Sequence, residues 1–454
     1  MKSHKRELLT ILLLLLTIQN SCTTVTKHTA DQFLDDLKRR TFNYFWEVVD
    51  TVTWQTDDRH PTKNFTSIAS TGFALTSYII GVENSYVSRD DAAVRVLNTL
   101  EWLWKSKQST APNATGYNGF YYHFLSYKTG ERYKNVELST IDTGLLLAGI
   151  LSCQSYFDGN NPNEKSIRQL ADSIYLRVDW PWAMNNSASM YMGWSPENGF
   201  IQSTWQGYNE AMILLVLALG SPTHPIGSTA WSEWCSTYRW STFYGYQHIN
   251  FDPLFGHQYS QMYIDFRGIY DDYTKGNGID YFENSRRATL SNRAYCISNP
   301  NGYTGYSTKI WGLTACDGPG YTKRTIAGKE IQFFDYRARG ACSFSIVDDG
   351  TIAPTAAGGS FPFAPDECID ALYSMYKMYG SKIYGKYGFK DAFNLTYGNG
   401  WFDTDYIGID QGPILIQLEN YQTELIWNLM KRNKYIVNGL QKAGFKGGWL
   451  SKIK

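Results

Sequence analysis

Acidic residues stand immediately before apolar, helix-like segments at several places in this chain. The clearest stretch, WFDTDYIGIDQGPILIQLENYQTELIW, carries Asp403, Asp405 and Asp410, followed by Gln411. Carboxyl groups on both sides of a glycosidic bond hydrolyse it, and flat aromatic rings bind sugar rings. N-capping explains any single aspartate before a helix equally well. Because such clusters recur, the pattern indicates a carbohydrate site.

Two further apolar segments open in the same way. Glu137 and Asp142 lie in ELSTIDTGLLLAG, and Trp205 and Glu210 lie in WQGYNEAMILLVLALG. Apolar surroundings desolvate a carboxylate and raise its pKa, so we interpret Glu210 as a general acid. Stabilisation of the helix dipole is the alternative for Glu210. Asp142 is interpreted as a base or a ligand of sugar hydroxyls, with a buried, hydrogen-bonded aspartate as the alternative. Glu137 is interpreted as a helix cap, a residue that supports the site, or a substrate contact.

Other polar side chains also suit sugar hydroxyls. Arg59 follows two aspartates, and His257, Gln258 and Tyr259 follow the loop DPLFG. A lone histidine is usually structural, and no second histidine stands at a metal-binding spacing from it. The sequence contains no GxSxG elbow, P-loop, GxGxxG unit or HExxH motif. We therefore predict no metal and no cofactor.

The hydrophobic pattern alternates between two kinds of helix. Some segments are apolar all round and must be buried, whereas others are amphipathic and keep a solvent face. This alternation predicts an all-α fold of two concentric helical rings, with the inner helices starting at one mouth. Residues 240–360 are rich in Gly, Tyr and Thr, and we expect long loops and small β-hairpins there over one face, with a helix at 257–267. The predicted helices are 31–50, 67–82, 90–105, 137–156, 166–178, 207–219, 364–379 and 412–431.

Composition narrows the functional classes. Charged residues make up only 19% of the 454 residues, whereas aromatic residues make up 16%. The aromatic excess is typical of a large aromatic core or of a sugar-binding cleft. Lys plus Arg balance Asp plus Glu at 42 each, without a basic cluster. The sequence therefore predicts no nucleic-acid partner and no membrane-surface footprint. The cysteines after Cys22 are dispersed without a CxxC pair, and the sequence leaves their pairing open.

The N-terminus has the pattern of a targeting segment. A basic start is followed by an apolar run at 8–18 that is too short to cross a bilayer. Ser21-Cys22 after this run resembles the lipobox of bacterial lipoproteins, so we expect a signal peptide at 1–21 and lipid attachment at Cys22. Residues 22–30 would form a tether, and 31–454 a single domain. The expected location is the periplasm or the cell surface, with the lipid as the only membrane contact; plain secretion is the alternative.

Longer blocks resemble a known family. ELSTIDTGLLLAG, YNEAMILLVLALGSPTHP, FGHQYSQMYIDFRGIYDD, IDYFENSRRATLSNRAYCI, GTIAPTAAGGSFPFAP and DYIGIDQGPILIQLENYQTELIW are similar to the bacterial glycoamylase-like domain. The resemblance covers about residues 31–450. It implies an (α/α)6 barrel and an inverting hydrolase of β-1,2-glucans, as in glycoside hydrolase family 144. Glu210 in the YNE block corresponds to the general acid, and the base is Asp142, Asp403 or Asp405.

The acid clusters predict a glycoside hydrolase, and the resemblance implies that it cleaves β-1,2-glucan or its oligosaccharides. Release of the disaccharide sophorose from a chain end is favoured over endo cleavage. The sequence is also compatible with an α-glucan glucoamylase and with a non-catalytic glycan-binding lipoprotein. The catalytic candidates are Glu210, Asp142 and Asp405, and the candidates for substrate binding are Arg59, Glu137, Trp205, His257, Gln258, Tyr259, Asp403, Asp410 and Gln411.

Overall fold

The computed structural model describes residues 30–453. The predicted signal peptide and the predicted lipid-attachment residue Cys22 lie outside these residues, as does most of the predicted tether. None of the helices between residues 30 and 453 combines the length and the apolar character that a membrane crossing needs.

The described chain is mainly helical, with short strands in its connections. Its 3₁₀ turns are Leu254–His257, Ser260–Met262 and Leu450–Lys452. The helices are α1 (30–47), α2 (Ile68–Glu83), α3 (Arg89–Lys105), α4 (Thr140–Tyr156), α5 (Pro162–Leu176), α6 (Trp180–Met184), α7 (Met212–Gly220), α8 (Thr229–Cys235), α9 (Asp272–Asn277), α10 (Tyr281–Ser298), α11 (Pro354–Gly358), α12 (Pro365–Ile383), α13 (Gly408–Thr423), α14 (Leu425–Met430) and α15 (Lys434–Lys442).

The strands form small antiparallel sheets of two to five strands. The largest has the order β3-β4-β6-β7-β8 and leads directly into α4. The strands are β1 (Arg59–His60), β2 (Phe65–Ser67), β3 (Gly116–Tyr117), β4 (Phe120–Tyr122), β5 (Phe124–Ser126), β6 (Leu138–Ser139), β7 (Gly193–Ser195), β8 (Gly199–Phe200), β9 (Trp240–Phe243), β10 (Tyr246–Ile249), β11 (Ile269–Tyr270), β12 (Ala315–Cys316), β13 (Thr322–Ile326), β14 (Lys329–Phe333), β15 (Arg337–Ala338), β16 (Gly340–Cys342), β17 (Ser345–Val347), β18 (Thr351–Ile352), β19 (Tyr384–Gly385), β20 (Gly388–Phe389), β21 (Phe393–Asn394), β22 (Trp401–Phe402), β23 (Tyr406–Ile407) and β24 (Lys446–Gly447).

The predicted alternation of buried and half-exposed helices is present. Helices α2, α4, α7 and α13 are buried along almost their whole length, whereas α1, α3, α5, α12 and α15 each keep a solvent face. The buried helices have no exposed polar face, and a helix without a polar face is stable only when neighbours cover it completely. The half-exposed helices supply that cover.

The buried elements contact one another in a ring. Helix α2 packs on α4, α4 on α7, and α13 on both α2 and α11. The gap between α7 and α11 is filled by the 3₁₀ turns: the amide of Ile213 donates to Ser260 Oγ at 3.0 Å, and Gln258 Nε2 donates to the carbonyl of Ala356 at 2.9 Å. Asn420 Nδ2 of α13 donates to the carbonyl of Met262 at 2.9 Å. The N-terminal ends of these elements lie at one end of the ring.

Two glycines allow α2 and α4 to approach closely. A Cβ on Gly149 would lie 2.0 Å from the carbonyl oxygen of Gly72, and a Cβ on Gly72 would lie 2.6 Å from the carbonyl oxygen of Leu145. No side chain fits at either position, since real contacts of this kind are well beyond 3 Å. The pair therefore fixes how deeply the two helices pack.

The predicted helix at 257–267 is wrong, and a long helix within 240–360 was missed. The first region forms two 3₁₀ turns, whereas α10 occupies Tyr281–Ser298. The buried face of α10 is largely polar: Asn284 Oδ1 accepts from the amide of Ile249 at 2.7 Å, and Ser285 Oγ donates to the carbonyl of His257 at 2.8 Å. Polar residues on a buried face erase the apolar period from which helices are predicted.

Other boundaries also differ from the predictions. The segment 412–431 starts earlier, at Gly408, and is divided at Glu424, whose φ of 58° ends α13 before α14 begins. The hairpins expected within 240–360 are present as β9–β10, β13–β14 and β16–β17. All six cysteines of the described chain are buried and free, so it contains no disulfide.

Candidate active site

Glu210 lies in a turn directly before α7, where side chains of neighbouring residues fix the backbone. Asn209 Oδ1 accepts from the amide of Ala211 at 3.0 Å and from Trp234 Nε1 at 3.2 Å. Ser260 Oγ donates to the carbonyl of Glu210 at 2.8 Å. The residue before the helix is Ala211, which makes no capping bond. Glu210 is therefore held in place by its backbone, and no side chain of residues 30–453 hydrogen-bonds to its carboxyl group.

The carboxyl group of Glu210 is half-buried, so water reaches it, but protein surrounds it. Burial, and after it the charge of Asp142, raises the pKa of Glu210 to about 7. Within residues 30–453 no cation pairs with it at salt-bridge distance. A carboxyl group that is still partly protonated at neutral pH has the property required of a general acid.

Asp142, His123 and Glu137 form a charged group beside Glu210. His123 Nδ1 lies 2.8 Å from Glu137 Oε1, and His123 Nε2 lies 3.6 Å from Asp142 Oδ2. Burial would lower the pKa of His123, but Asp142 and Glu137 outweigh it and raise the pKa to about 9. Asp142 Oδ2 also accepts a short hydrogen bond from Ser139 Oγ. His123 is thus a cation at neutral pH, and it holds both carboxylates in position.

The pairing of β1 with β23 brings Arg59 to the aspartates that precede α13. Arg59 is opposite Ile407 in this antiparallel pair. Its guanidinium contacts Asp317 at 2.7 Å, Asp58 at 3.2 Å and Asp405 at 3.8 Å. The other oxygen of Asp405, Oδ1, accepts from the amide and the hydroxyl of Thr62. Asp405 is thus oriented by a donor pair on one oxygen and faces a cation with the other.

Next to Arg59 lies a cluster of buried carboxyl groups, Asp317, Asp391, Asp403 and Asp410, which we refer to as the acid cluster. Burial first, and then Asp410, Asp317 and Asp403, raise the pKa of Asp391 well above its usual range. Burial likewise raises the pKa of Asp410, which hydrogen-bonds with Asp391. Burial also raises the pKa of Asp403 to about 7. Asp391, Asp403 and Asp410 of the acid cluster therefore hold shared protons at neutral pH.

Within residues 30–453 no protein donor reaches Asp403 Oδ2, Asp391 Oδ1 or Asp410 Oδ2. A proton shared between Asp391 and Asp410 satisfies that pair, but Asp403 Oδ2 remains an acceptor without a donor. Buried polar atoms are normally hydrogen-bonded, so an acceptor of this kind marks a place for a donor from outside the protein. One oxygen each from Asp317, Asp391 and Asp403 also lie within 4.8 Å of one another, a spacing at which a cation can bind.

The hydroxyl of Tyr259 binds a backbone carbonyl that Pro413 leaves without a helical partner. Proline has no N–H, so the carbonyl of Ile409, four residues earlier in α13, loses its helical donor. The hydroxyl of Tyr259 donates to this carbonyl at 3.3 Å. The pKa of Tyr259 is raised well above its usual range by burial and then by Asp410, Tyr336, Glu210 and Asp142. Tyr259 therefore lies near Asp410 on one side and near Glu210 and Asp142 on the other. We refer to the space that these carboxyl groups surround as the cleft.

Several predicted site residues lie behind the walls of the cleft. His257 and Gln258 are each 1% exposed. His257 Nε2 lies 3.3 Å from the carbonyl of Phe251, and burial lowers its pKa to about 3; Gln258 donates to Ala356 and Ser360. Gln411 is also 1% exposed and donates to the carbonyl of Phe389. These side chains hold the buried ring together and are not free to bind a ligand.

Trp205 is buried and donates from Nε1 to Thr140 Oγ1 at 2.9 Å, at the start of α4. It supports the position of Asp142, two residues farther along. The structure also brings Asp58, His123, Asp317, Asp391 and Tyr336 to the site, which the sequence did not single out as candidates. Asp58 adjoins Arg59 in the sequence and was the easiest to find. The others lie in irregular connections without a helix to mark them.

Comparisons with known proteins identify the family of the chain. Residues 202–434 match the Glycoamylase family, described as "Putative glucoamylase". The exo beta-1,2-glucooligosaccharide sophorohydrolase (non-reducing end) of Parabacteroides distasonis is 30% identical over an alignment of 449 residues that covers 91% of this chain. The chain spans only 58% of the length of that relative.

Solved structures resemble the whole described chain. A putative glucoamylase from Bacteroides uniformis is 32% identical with a TM-score of 0.81, over 92% of this chain and 98% of the other. The endo-beta-1,2-glucanase from Chitinophaga pinensis, in complex with sophorotriose and glucose, is 29% identical with a TM-score of 0.79, over 92% of this chain and 99% of the other. The family match covers more than half of the chain, from before Glu210 to beyond α13. The chain belongs to the glycoamylase family.

Proposed function

We propose that this protein is an inverting glycoside hydrolase that cleaves β-1,2-linked glucose chains. The observation that carries the proposal is the half-buried Glu210, whose raised pKa of about 7 keeps it partly protonated at neutral pH, on one side of a cleft whose other side carries oriented and unpartnered carboxyl groups. A general acid opposite a carboxylate is the arrangement that glycoside hydrolysis needs. The sophorohydrolase and the endo-glucanase to which the chain is similar act on β-1,2-glucans by their names, which supports this substrate class.

Glu210 donates its proton to the leaving glycosidic oxygen. We assign the base that activates water to Asp405, because Thr62 orients its Oδ1 while Oδ2, 3.8 Å from Arg59, lies beyond hydrogen-bond distance of that cation and can accept a proton. Asp403 is less suited to this role, because a pKa of about 7 leaves it partly protonated at neutral pH. Asp142 is also less suited, because its Oδ2 already accepts from Ser139 and faces His123.

The remaining polar groups hold the sugar. Asp403, Asp410 and Arg59 bind hydroxyl groups on one side, and Tyr259 and Glu137 contact the sugar from the other side. We propose that the acid cluster accepts hydrogen bonds from sugar hydroxyl groups and does not hold a cation. Dialysis against a chelator, followed by assay with and without added Ca²⁺, checks this: activity that is lost and restored by the ion would contradict it.

We favour an exo mode that releases sophorose. This is the activity named for the Parabacteroides relative, whereas the Chitinophaga neighbour is named as an endo enzyme. The test is product analysis by mass spectrometry on linear β-1,2-glucan, with starch beside it. A disaccharide alone supports the exo mode, and a ladder of sizes means endo cleavage. Glucose from starch without action on β-1,2-glucan would overturn the substrate, and binding without turnover would overturn the enzyme.

We further propose that residues 31–454 form a single (α/α)6 barrel. Support comes from the ring of buried elements α2, α4, α7, the 3₁₀ turns at 254–262, α11 and α13, covered by half-exposed helices. The N-terminal pattern supports a bacterial lipoprotein anchored through Cys22 in the periplasm or on the cell surface. Metabolic labelling with a palmitate analogue tests this location; a Cys22→Ser variant that still takes up label would contradict it.

A further inference from the structure

Tyr336 is an exposed aromatic residue that makes no hydrogen bond or ring contact with the rest of residues 30–453. It lies between β14 and β15, and its side chain is 47% exposed. Nevertheless burial, followed by Asp410, Asp391 and Asp58, raises the pKa of its phenol well above the usual range. The ring of Tyr336 is thus accessible to solvent and also surrounded by protein and carboxyl groups. It therefore lines the cleft and does not project from a convex surface.

The strand register places Tyr336 beside the acid cluster. In the antiparallel pair of β12 and β15, Cys316 is opposite Arg337. Continued by one step beyond the paired residues, this register would bring Asp317 opposite Tyr336. Residues opposite each other in such a pair have Cβ atoms about 5 Å apart. Asp317 contacts Arg59 at 2.7 Å and lies within 4.8 Å of Asp391 and Asp403.

A buried arginine holds this segment rigidly. Arg339 is 0% exposed and forms a two-pronged ion pair with Asp349 at 2.8 and 2.9 Å. The same guanidinium donates to the carbonyl of Cys316 at 2.6 Å on one side and to the carbonyl of Phe334 at 3.2 Å on the other. Both ends of the loop that carries the hairpin β13–β14 are therefore fixed to one point, and the position of Tyr336 is set before any ligand binds.

The adjacent chemistry is complementary. The acid cluster offers Asp403 Oδ2, an acceptor without a protein donor, whereas Tyr336 offers a flat apolar face. A pyranose has hydroxyl donors around its edge and C–H groups on its faces, so a single glucose unit satisfies both. We propose that Tyr336 is the stacking wall of the glucose subsite whose hydroxyls bind the acid cluster. This inference rests on the proposed function and adds a substrate-binding residue to it.

The test compares three variants on β-1,2-glucooligosaccharides. Tyr336→Ala is expected to raise KM about tenfold with kcat changed less than about threefold, as for loss of one stacking contact. Tyr336→Phe keeps the ring and is expected to retain KM within about twofold of the wild type. Tyr421→Ala removes a tyrosine of similar exposure at the far end of α13 and is expected to leave both constants unchanged.

Binding is measured separately from turnover by calorimetry in a Glu210→Gln background. Tyr336→Ala in that background should weaken sophorose binding by a similar factor, with the melting temperature as the folding control. A wild type that cleaves the oligosaccharide while Tyr336→Ala leaves KM and sophorose binding unchanged would overturn this inference alone. A Tyr336→Phe variant as weak as Tyr336→Ala would overturn stacking in favour of the hydroxyl. A wild type without turnover or binding would overturn the proposed function, and this inference with it.

Discussion

Glu210 and the acid cluster are both buried carboxyl groups at the same cleft, but they hold protons for different reasons. Glu210 has Asp142 as its one acidic neighbour among the causes of its raised pKa, and burial leads them. In the acid cluster, burial is joined by repulsion among several carboxyl groups, as the pKa of Asp391 illustrates. A proton held by one group can be given to a leaving group, whereas protons shared by many groups are suited to exchanging hydrogen bonds with hydroxyls.

The first way to break this comparison is to remove the single acid. Glu210→Gln keeps the size of the side chain but cannot donate a proton as a carboxylic acid does. We expect kcat/KM on β-1,2-glucooligosaccharides to fall by about 10³-fold or more, at the upper end for general acid catalysis. Substrate binding and the melting temperature should remain near those of the wild type. A fully active variant would show that the proton comes from another residue.

The second prediction separates the two aspartates on the opposite side. Asp405→Asn should lower kcat by about 10²- to 10³-fold, because an amide cannot accept the proton of the attacking water. Asp403→Asn keeps the bonds from the amides of Thr404 and Asp405 to Oδ1 and should act mainly on KM. Steady-state kinetics with sodium azide as a substitute nucleophile checks the assignment. Azide-dependent turnover of Asp403→Asn, and not of Asp405→Asn, would reverse the roles.

The sequence revealed the helical side of this site better than the irregular side. Glu210, Asp142, Asp405 and Asp410 precede or open buried helices, where an acid against an apolar run is conspicuous. The outer and inner helices followed in the same way from hydrophobic periodicity. The residue types alone carried the prediction in these cases.

The rest depended on pairings between distant parts of the chain. Asp317, Asp391 and Tyr336 reach the cleft through short strands and a buried arginine, and no local pattern identifies them. His257 and Gln258 failed for the opposite reason: polar types suggested ligand binding, but their partners are buried backbone and side-chain groups. Helix α10 was hidden for the same cause, since its buried face is polar.

The third prediction sharpens the comparison through pH. In the proposed mechanism Glu210 acts in its protonated form, so kcat/KM should fall as the pH rises through its pKa of about 7. The charge of Asp142 contributes to that raised value. Asp142→Asn removes it and should move the alkaline limb to lower pH by about 0.5 to 1 unit. The pH dependence of kcat/KM is the measurement, with the 77% exposed Asp158 changed to Asn as the control.

An alkaline limb that stays in place in Asp142→Asn would show that Asp142 does not act on the acid. A loss of kcat by more than about 10²-fold at every pH would instead identify Asp142 as the base, because removal of a general base costs that much. The variant thus also tests the choice of Asp405.

The smallest expected effect concerns the stability of the fold, and it tests the acid cluster alone. The pKa of Asp403 in the folded protein, about 7, lies above the value of an unfolded aspartate. The folded state therefore binds this proton more tightly than the unfolded state does. The contribution of this proton to the stability of the fold is fully present below about pH 4 and is lost as the pH rises through about 7.

Asp403→Asn cannot ionise, and its amide can donate to the neighbouring carboxylates. From pH 5 to pH 8 the variant should gain about 1 to 3 kcal/mol relative to the wild type. Melting temperatures across this range, with the half-exposed Asp370 changed to Asn as the control, provide the measurement. If wild type and variant keep a constant difference from pH 5 to 8, Asp403 is ionised throughout, and the acid cluster does not store protons as the comparison with Glu210 requires.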